Sequence, residues 1–380
     1  MGTARAAAPD AMSAAAIGWL AALAFLLASA AAVLFRRPRA VTPPAAFPVS
    51  IIVPLKGASP FLAQNLAALA EMPFLGEIVL AVADASDPAH AVAAPFAAAN
   101  PERMRLLAGE DLAYANPKLR NVAKAYRAAR HDTILFLDDT VRPEAALLAE
   151  LLASLAAGAR AATAAPLAVE ARNFAAACEA ATCNGYLLRI EALLDLAGLA
   201  AGFGNAFAFR KSDLEAAGGF ARLAEGPCED NALSRALRGR GVRMALARRN
   251  AMRPVGARRW RDVALRHLRW KNCTKCHDPA AFFLEIAIGG LVFHLLGAAA
   301  LAEVFGFGWW TGLGASAAIW YGTELLLHAA SGWPLGWRSP FAWVLRDLAQ
   351  PMLTVAAAFT RAIEWRGTRI EMPWRWPSLR

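Results

Sequence analysis

The sequence contains no Gly-x-x-x-x-Gly-Lys-Ser/Thr, no Gly-x-Gly-x-x-Gly and no Gly-x-Ser-x-Gly. Phosphate-loop, dinucleotide-binding and serine-hydrolase readings therefore lack their basic element. No internal repeat is present, which removes repeat architectures. Cysteine is scarce, five in 380 residues, and such a set reads as reduced structural thiols. Cys273-Thr-Lys-Cys276-His277 has the spacing that attaches a c-type haem, but no other haem-pocket feature accompanies it. Zinc would need further ligands, and Cys178 and Cys183 are not a convincing second pair. Acid is nearly absent from one stretch: from Arg235 to Lys275, 14 Arg or Lys stand against Asp262 alone, which localises the formal net charge of +10. Aromatic residues are too sparsely interleaved there for a nucleic-acid surface, so the charge suits anionic headgroups or a pyrophosphate.

What is abundant is apolar sequence, 58% of the chain, too much for an ordinary soluble enzyme. The first long run, residues 14–35, carries no charge and, at roughly 1.5 Å per residue, covers a hydrocarbon core of about 30 Å. It reads as a transmembrane anchor. A cleavable signal peptide is the competing reading, because of Ala28-Ser29-Ala30, but the apolar run continues past that point to Arg36-Arg37-Pro38-Arg39. Those arginines outnumber Arg5 ahead of the helix, which predicts that the following domain faces the cytoplasm.

Residues 280–305 and 310–330 are long enough to span but carry Glu285, His294, Glu303, Glu324 and His328; ionisable groups in lipid face a bundle interior or a cavity. The run 341–363 holds Arg346, Asp347, Gln350 and Pro351 and is expected to be interfacial or re-entrant. Tryptophans gather toward this end, among them Trp309, Trp310, Trp333, Trp337, Trp365, Trp374 and Trp376, as headgroup-level anchors do. The expected organisation is an N-terminal tail (1–13), an anchor (14–35), a globular domain (36–279), a membrane region of two spanning helices and one interfacial or re-entrant segment (280–363), and a basic tail (364–380).

Between anchor and membrane region, short apolar runs alternate with helical stretches. Val49 to Val53 ends at Pro54, Glu77 to Val82 is followed by Asp84, and Thr133 to Leu137 ends at Asp138; Met104 to Leu107 is a further run, and helices are expected at 60–71 and around 120–129. This pattern predicts an α/β fold with a mostly parallel sheet covered by helices on both faces. Ligands bind such sheets at the carboxyl ends of the strands, where Asp84 and Asp138 fall. Asp84, in Asp84-Ala-Ser-Asp87-Pro88, is equally well a turn or capping residue. Asp138-Asp139-Thr140 suits Mg²⁺ or Mn²⁺ on a phosphate. Neighbours in extended chain point to opposite faces, so Asp138 is favoured as the metal ligand and Asp139 stands second, as a ligand or as support behind it.

Glu229-Asp230 opens a helical pattern ending near Gly239 or Gly241. The pair either complements the helix dipole or supplies a general base. In Arg266-His-Leu-Arg269-Trp270 the arginines share one helical face, either as basic surface or as a grip on an anionic leaving group.

Taken in order, Asp84, Asn116-Pro117-Lys118, Asp138 with Val141-Arg142, Arg210-Lys211 ahead of Ala217-Gly218-Gly219, Glu229-Asp230 and Arg266-x-x-Arg269-Trp270 resemble the ceramide glucosyltransferases. These are inverting, processive-synthase-like transferases with a nucleotide-sugar-binding fold. The resemblance runs from Val49 to Lys271 and continues weakly through Phe341-Ala-Trp343, Arg346 and Trp365-Arg366. It implies that Asp84 contacts the uridine of a UDP-sugar, that Asp138 binds a divalent cation on its diphosphate, and that Asp230 deprotonates a lipid hydroxyl. It further implies that Arg266, Arg269 and Trp270 hold the diphosphate, with Lys118 as another donor contact. Two departures stand out: Asp138-Asp139-Thr140 replaces Asp-x-Asp, and Arg266 replaces a glutamine.

The expected function is glucose transfer from UDP-glucose to the primary hydroxyl of ceramide at the cytoplasmic face of a bacterial inner membrane. One alternative is transfer of N-acetylglucosamine or another sugar to a hopanoid or other lipid; another is a non-catalytic membrane scaffold. No nucleic-acid partner is expected.

Overall fold

The computed structural model describes residues 13–42, 47–226, 228–365 and 368–371. The N-terminal tail up to residue 12, and Arg366, Trp374 and Trp376 of the basic tail, lie outside the described residues.

The strands, in chain order, are β1 (Val49–Leu55), β2 (Gly76–Val82), β3 (Met104–Ala108), β4 (Thr133–Leu137), β5 (Ala161–Thr163), β6 (Pro166–Ala171), β7 (Ala206–Arg210), β8 (Met244–Leu246) and β9 (Ala251–Gly256). Seven form one sheet in the order β3-β2-β1-β4-β7-β5-β8, and β6 pairs with β9 in a second. The half from β3 to β4 is parallel. β7 enters antiparallel to both β4 and β5.

The two-residue period of a strand explains how the sheet is covered. Ile51, Val53 and Leu80 face a core with Leu66, Leu69, Leu147 and Leu151. Ile52, Val79 and Phe136 face the opposite core with Leu119, Val122, Tyr126 and Phe209. Gly76 opens β2 at φ 135°, and a Cβ there would lie 2.0 Å from the Val49 carbonyl oxygen, so only glycine permits the β1–β2 register.

Strand order reverses direction between β1 and β4, since β2 and β3 lie on one side of β1 and β4 on the other. Such a switch opens a crevice at the carboxyl ends of the strands. Asn116 caps the Pro117–Ala128 helix and presents Lys118 in its first turn. Asp87 caps the Pro88–Ala99 helix, so in the Asp84-to-Pro88 segment the capping role belongs to Asp87.

Among the described residues, Ala14–Phe35 is the one helix that is by itself long and apolar enough to cross a membrane. The expected single span 280–305 is broken: Pro279–Ala287 and Gly290–Phe305 meet at a 42° bend and pass that test only together. Trp309–Ser331 and Ser339–Phe359 do not pass it, because Glu324 and His328, with Gly, Thr and Ser, in the former and Arg346, Asp347 and Gln350 in the latter dilute the apolar content. The last helix stops at Phe359, so Ile363 belongs to a strand, Ala362–Trp365, paired with Thr368–Glu371.

These helices are polar inside and apolar outside. Arg346 donates to both oxygens of Glu324 at 2.6 and 2.9 Å and to Asp347, and the Trp320 indole donates to Asp347. Phe341, Leu348, Met352, Val355 and Phe359 are exposed on the outer face. The anchor joins the globular domain through Arg36, which pairs with Asp195 and donates to the Leu246 carbonyl at 2.7 Å.

Candidate active site

The Glu229–Arg238 helix starts beside the crevice, and its first two residues take up different surroundings. Glu229 accepts an ion pair from Lys118, Oε1 to Nζ 2.6 Å. Asp230 accepts backbone hydrogen bonds at both oxygens, from Gly204 at 3.0 Å and Asn231 at 2.8 Å. Gly204 permits this approach, since a Cβ there would come within 3.2 Å of Asp230 Oδ2 and 3.4 Å of Lys118 Nζ. Ser234 ties the turn down by donating to the Asp230 carbonyl and accepting from the Gly202 N–H.

The electrostatics separate the two acids. Burial disfavours charge on both. For Asp230, burial and then the neighbouring Glu229 charge raise the pKa, against the pull of Lys118 and the two N–H donors. For Glu229, Lys118 overcomes burial and holds the pKa below the usual carboxylate range. Lys118 itself is held above its ordinary value: burial would lower it, but Glu229, Asp138 and Asp230 outweigh that. The result is one ionised carboxylate beside one with a raised proton affinity, as a general base needs.

Asp138 follows β4, and its backbone N–H donates to the Asn205 carbonyl, beside Gly204. Its Oδ1 accepts from the Thr140 N–H at 3.1 Å and the Thr140 hydroxyl at 2.8 Å. Asp139 is buried, and its carbonyl accepts from Asn65. Among the described residues no group of three or more His, Cys, Asp or Glu side chains forms a cation site. Asp138 still fits a hard cation that draws its remaining oxygen ligands from phosphate and water, as Mg²⁺ commonly does.

The Trp260–His277 helix carries Arg266, Arg269 and Trp270. Arg269 lies near enough to Glu229 to lower its pKa. Arg266 turns to Glu179, Nη1 to Oε1 3.4 Å. Trp270 packs with Ala168, Ala176, Cys183 and Val255, and the Arg253 guanidinium lies 5.8 Å from its ring. Lys118, Asp138, Glu229, Asp230, Arg266 and Arg269 are thus brought into one neighbourhood. Asp84 is exposed after β2, its carboxylate occupied by the Ser86 N–H at 2.7 Å; it sits on the same sheet edge but makes none of the contacts above.

Three participants were not singled out from sequence. Glu179 gathers Arg253 at 2.8 Å and Arg258 at 3.4 Å as well as Arg266. Arg253 and Arg258 were visible only as members of the arginine-rich stretch. Glu179 sits in an alanine-rich helix with no motif around it. The cysteines also differ from expectation: Cys228 and Cys273 form a disulfide with Cα atoms 6.0 Å apart. It joins the helix bearing Asp230 to the helix bearing Arg269, so Cys273 is committed and the haem-like spacing is coincidental. Cys178, Cys183 and Cys276 stand outside that disulfide, the first two buried.

The model of glycosyl transferase family 21 matches residues 14–376. The chain belongs to that family. Among curated relatives of this family 21 chain is ceramide glucosyltransferase 1 of Caenorhabditis elegans, 24% identical over 353 residues that cover 90% of this chain and 75% of the relative. Among solved structures, a mannosyltransferase from Pyrobaculum calidifontis in complex with GDP-Man and Mn²⁺ superposes with a TM-score of 0.52 at 16% identity, over 91% of this chain and 99% of that one. A glucosyl-3-phosphoglycerate synthase from Mycobacterium tuberculosis reaches a TM-score of 0.40 at 14% identity, over 63% of this chain and 80% of that one. Family membership makes the protein a nucleotide-sugar glycosyltransferase. The mannosyltransferase likeness agrees with the α/β fold, and the N-terminal apolar helix with the ceramide glucosyltransferase relative indicates membrane association.

Proposed function

We propose that the protein transfers glucose from UDP-glucose to the primary hydroxyl of ceramide, with inversion, at the cytoplasmic face of a bacterial inner membrane. The observation that carries this reading is Asp230: a carboxylate with raised proton affinity, fixed by two backbone N–H groups between a Lys118–Glu229 pair and an arginine cluster. In the single displacement, the acceptor oxygen bonds to the anomeric carbon as that carbon's bond to the diphosphate breaks. Asp230 takes the hydroxyl proton, and the electron pair leaves with UDP. Glu229, held ionised by Lys118, keeps Asp230 basic; Arg266 and Arg269 receive the charge on the leaving group. Trp270, on the same helix as these arginines, is assigned with them to the donor diphosphate, and Asp84 to the uridine.

Asp138 is the residue assigned to a divalent cation, Mg²⁺ or Mn²⁺, with Asp139 behind it. When bound, such an ion supplies charge neutralisation on the diphosphate.

The test is expression of the chain in a host lacking glycosylated ceramides, with lipids identified by mass spectrometry. A hexosyl-ceramide is expected. An N-acetylhexosaminyl polyterpenoid would replace donor and acceptor while keeping the chemistry, and an unchanged lipid profile would favour a scaffold.

A further inference from the structure

Glu179 has no part in the displacement, yet its surroundings are unusual. It is 0% exposed, on the Phe174–Ala181 helix, with Arg253, Arg258 and Arg266 all within 3.4 Å of its oxygens. Burial alone would protonate it; the three guanidiniums reverse that and hold its pKa low. Within ion-pair distance one negative charge meets three positive ones, and even with Asp138 acting on Arg253 an excess of positive charge remains. That excess is accessible, because the Arg258 and Arg266 side chains are 24% and 27% exposed. Arg253 is 5% exposed and close enough to Asp138 to feel its charge, which places the cluster at the cation-binding carboxylate. Arg266 is pushed down to about 10, first by burial and, against the help of Glu179, by Arg253, Arg258 and Arg269. Without the shared anion, such a group would repel itself and its half-exposed members would swing outward.

We propose that Glu179 is a positioning residue that gathers Arg253, Arg258 and Arg266 into a preformed seat for the donor diphosphate, with Arg253 and Arg258 as further anion contacts. Planar guanidiniums match phosphate oxygens in pairs, and holding them in place before binding removes the ordering cost. Nothing in this assignment depends on the acceptor, but it rests on the nucleotide-sugar reading above.

The test uses the full-length protein in detergent with Mn²⁺, comparing UDP with uridine by equilibrium binding, together with donor KM and kcat. Glu179→Gln and Arg258→Gln are each expected to weaken UDP about tenfold to a hundredfold, the range of a lost charge-assisted contact. Uridine affinity is expected to stay at the wild-type value, a split that general damage to the fold would not produce. If E179Q does not fold, R258Q decides alone, since its side chain is partly exposed. UDP binding unchanged in both variants overturns the inference, as does a parallel loss of UDP and uridine. A wild-type protein that binds neither overturns the donor reading itself and takes this inference with it.

Discussion

Two clusters of buried charge flank the crevice, and they are opposite in kind. In one, a single cation, Lys118, lies among Glu229, Asp230 and Asp138. In the other, a single anion, Glu179, lies among Arg253, Arg258 and Arg266. Each minority charge keeps its crowd ionised or in place, and the two clusters face each other, Arg253 acting on Asp138 and Arg269 on Glu229. In the proposed function the acid-rich side takes the proton and the metal ion, and the arginine-rich side the departing diphosphate. A third cluster sets two cations, Arg346 and Arg189, against two anions, Glu324 and Asp347, and hydrogen bonds from Arg346 reach both oxygens of Glu324. In the proposed function the two unequal clusters form the reaction centre, whereas the balanced group serves packing between helices.

That contrast can be broken most forcefully at Asp230. Asp230→Asn keeps the shape and removes the base, and turnover is expected to fall by about 10²- to 10⁴-fold, the usual contribution of a general base. Donor binding measured on the same sample is expected to persist; turnover at the wild-type rate would move the base elsewhere. The balanced cluster responds in another currency. Glu324→Gln leaves two buried guanidiniums, Arg346 and Arg189, against Asp347 alone, and a loss of about 3–5 kcal/mol in stability is expected. Thermal denaturation in detergent measures it, while the donor KM of the surviving folded fraction is expected to be unchanged.

The finest distinction lies inside the acid-rich cluster. Glu229 raises the pKa of Asp230, so Glu229→Gln removes that push and redirects Lys118 toward Asp230. Both effects favour the ionised base. The acid limb of kcat/KM, which rises as Asp230 loses its proton, is therefore expected to move to lower pH in this variant. A limb that stays put, or moves upward, separates Glu229 from the control of Asp230.

The parallel half of the sheet was readable because its strands are apolar runs, two of them followed by Asp84 and Asp138, where burial, turn chemistry and ligand position coincide; β1 runs one residue past Pro54, to Leu55. The short strands β5 and β8, three residues each, carry no such signature. Asp138, Glu229, Asp230 and Arg266 could be picked out because each belongs to a local pattern. Glu179 could not, since its closest partner, Arg253, is 74 residues away and only the pairing of β6 with β9 brings the two together. The bend near Gly289 was equally hidden: hydropathy registers composition along a run, and a change of helix direction leaves that composition unaltered.

Arg36 fixes the geometry between the first helix and the globular domain. It caps the anchor helix and is pinned to Asp195 and to the carbonyl of Leu246 at the end of β8. A catalytic head on a loose leash could stoop toward its acceptor or reach for it sideways. One bolted to its own stem cannot, so with the anchor in a bilayer, as proposed, the crevice would ride at a constant height above the hydrocarbon. Acceptors would then be sorted by how far their hydroxyl rises out of the bilayer before any sugar-specific contact is made.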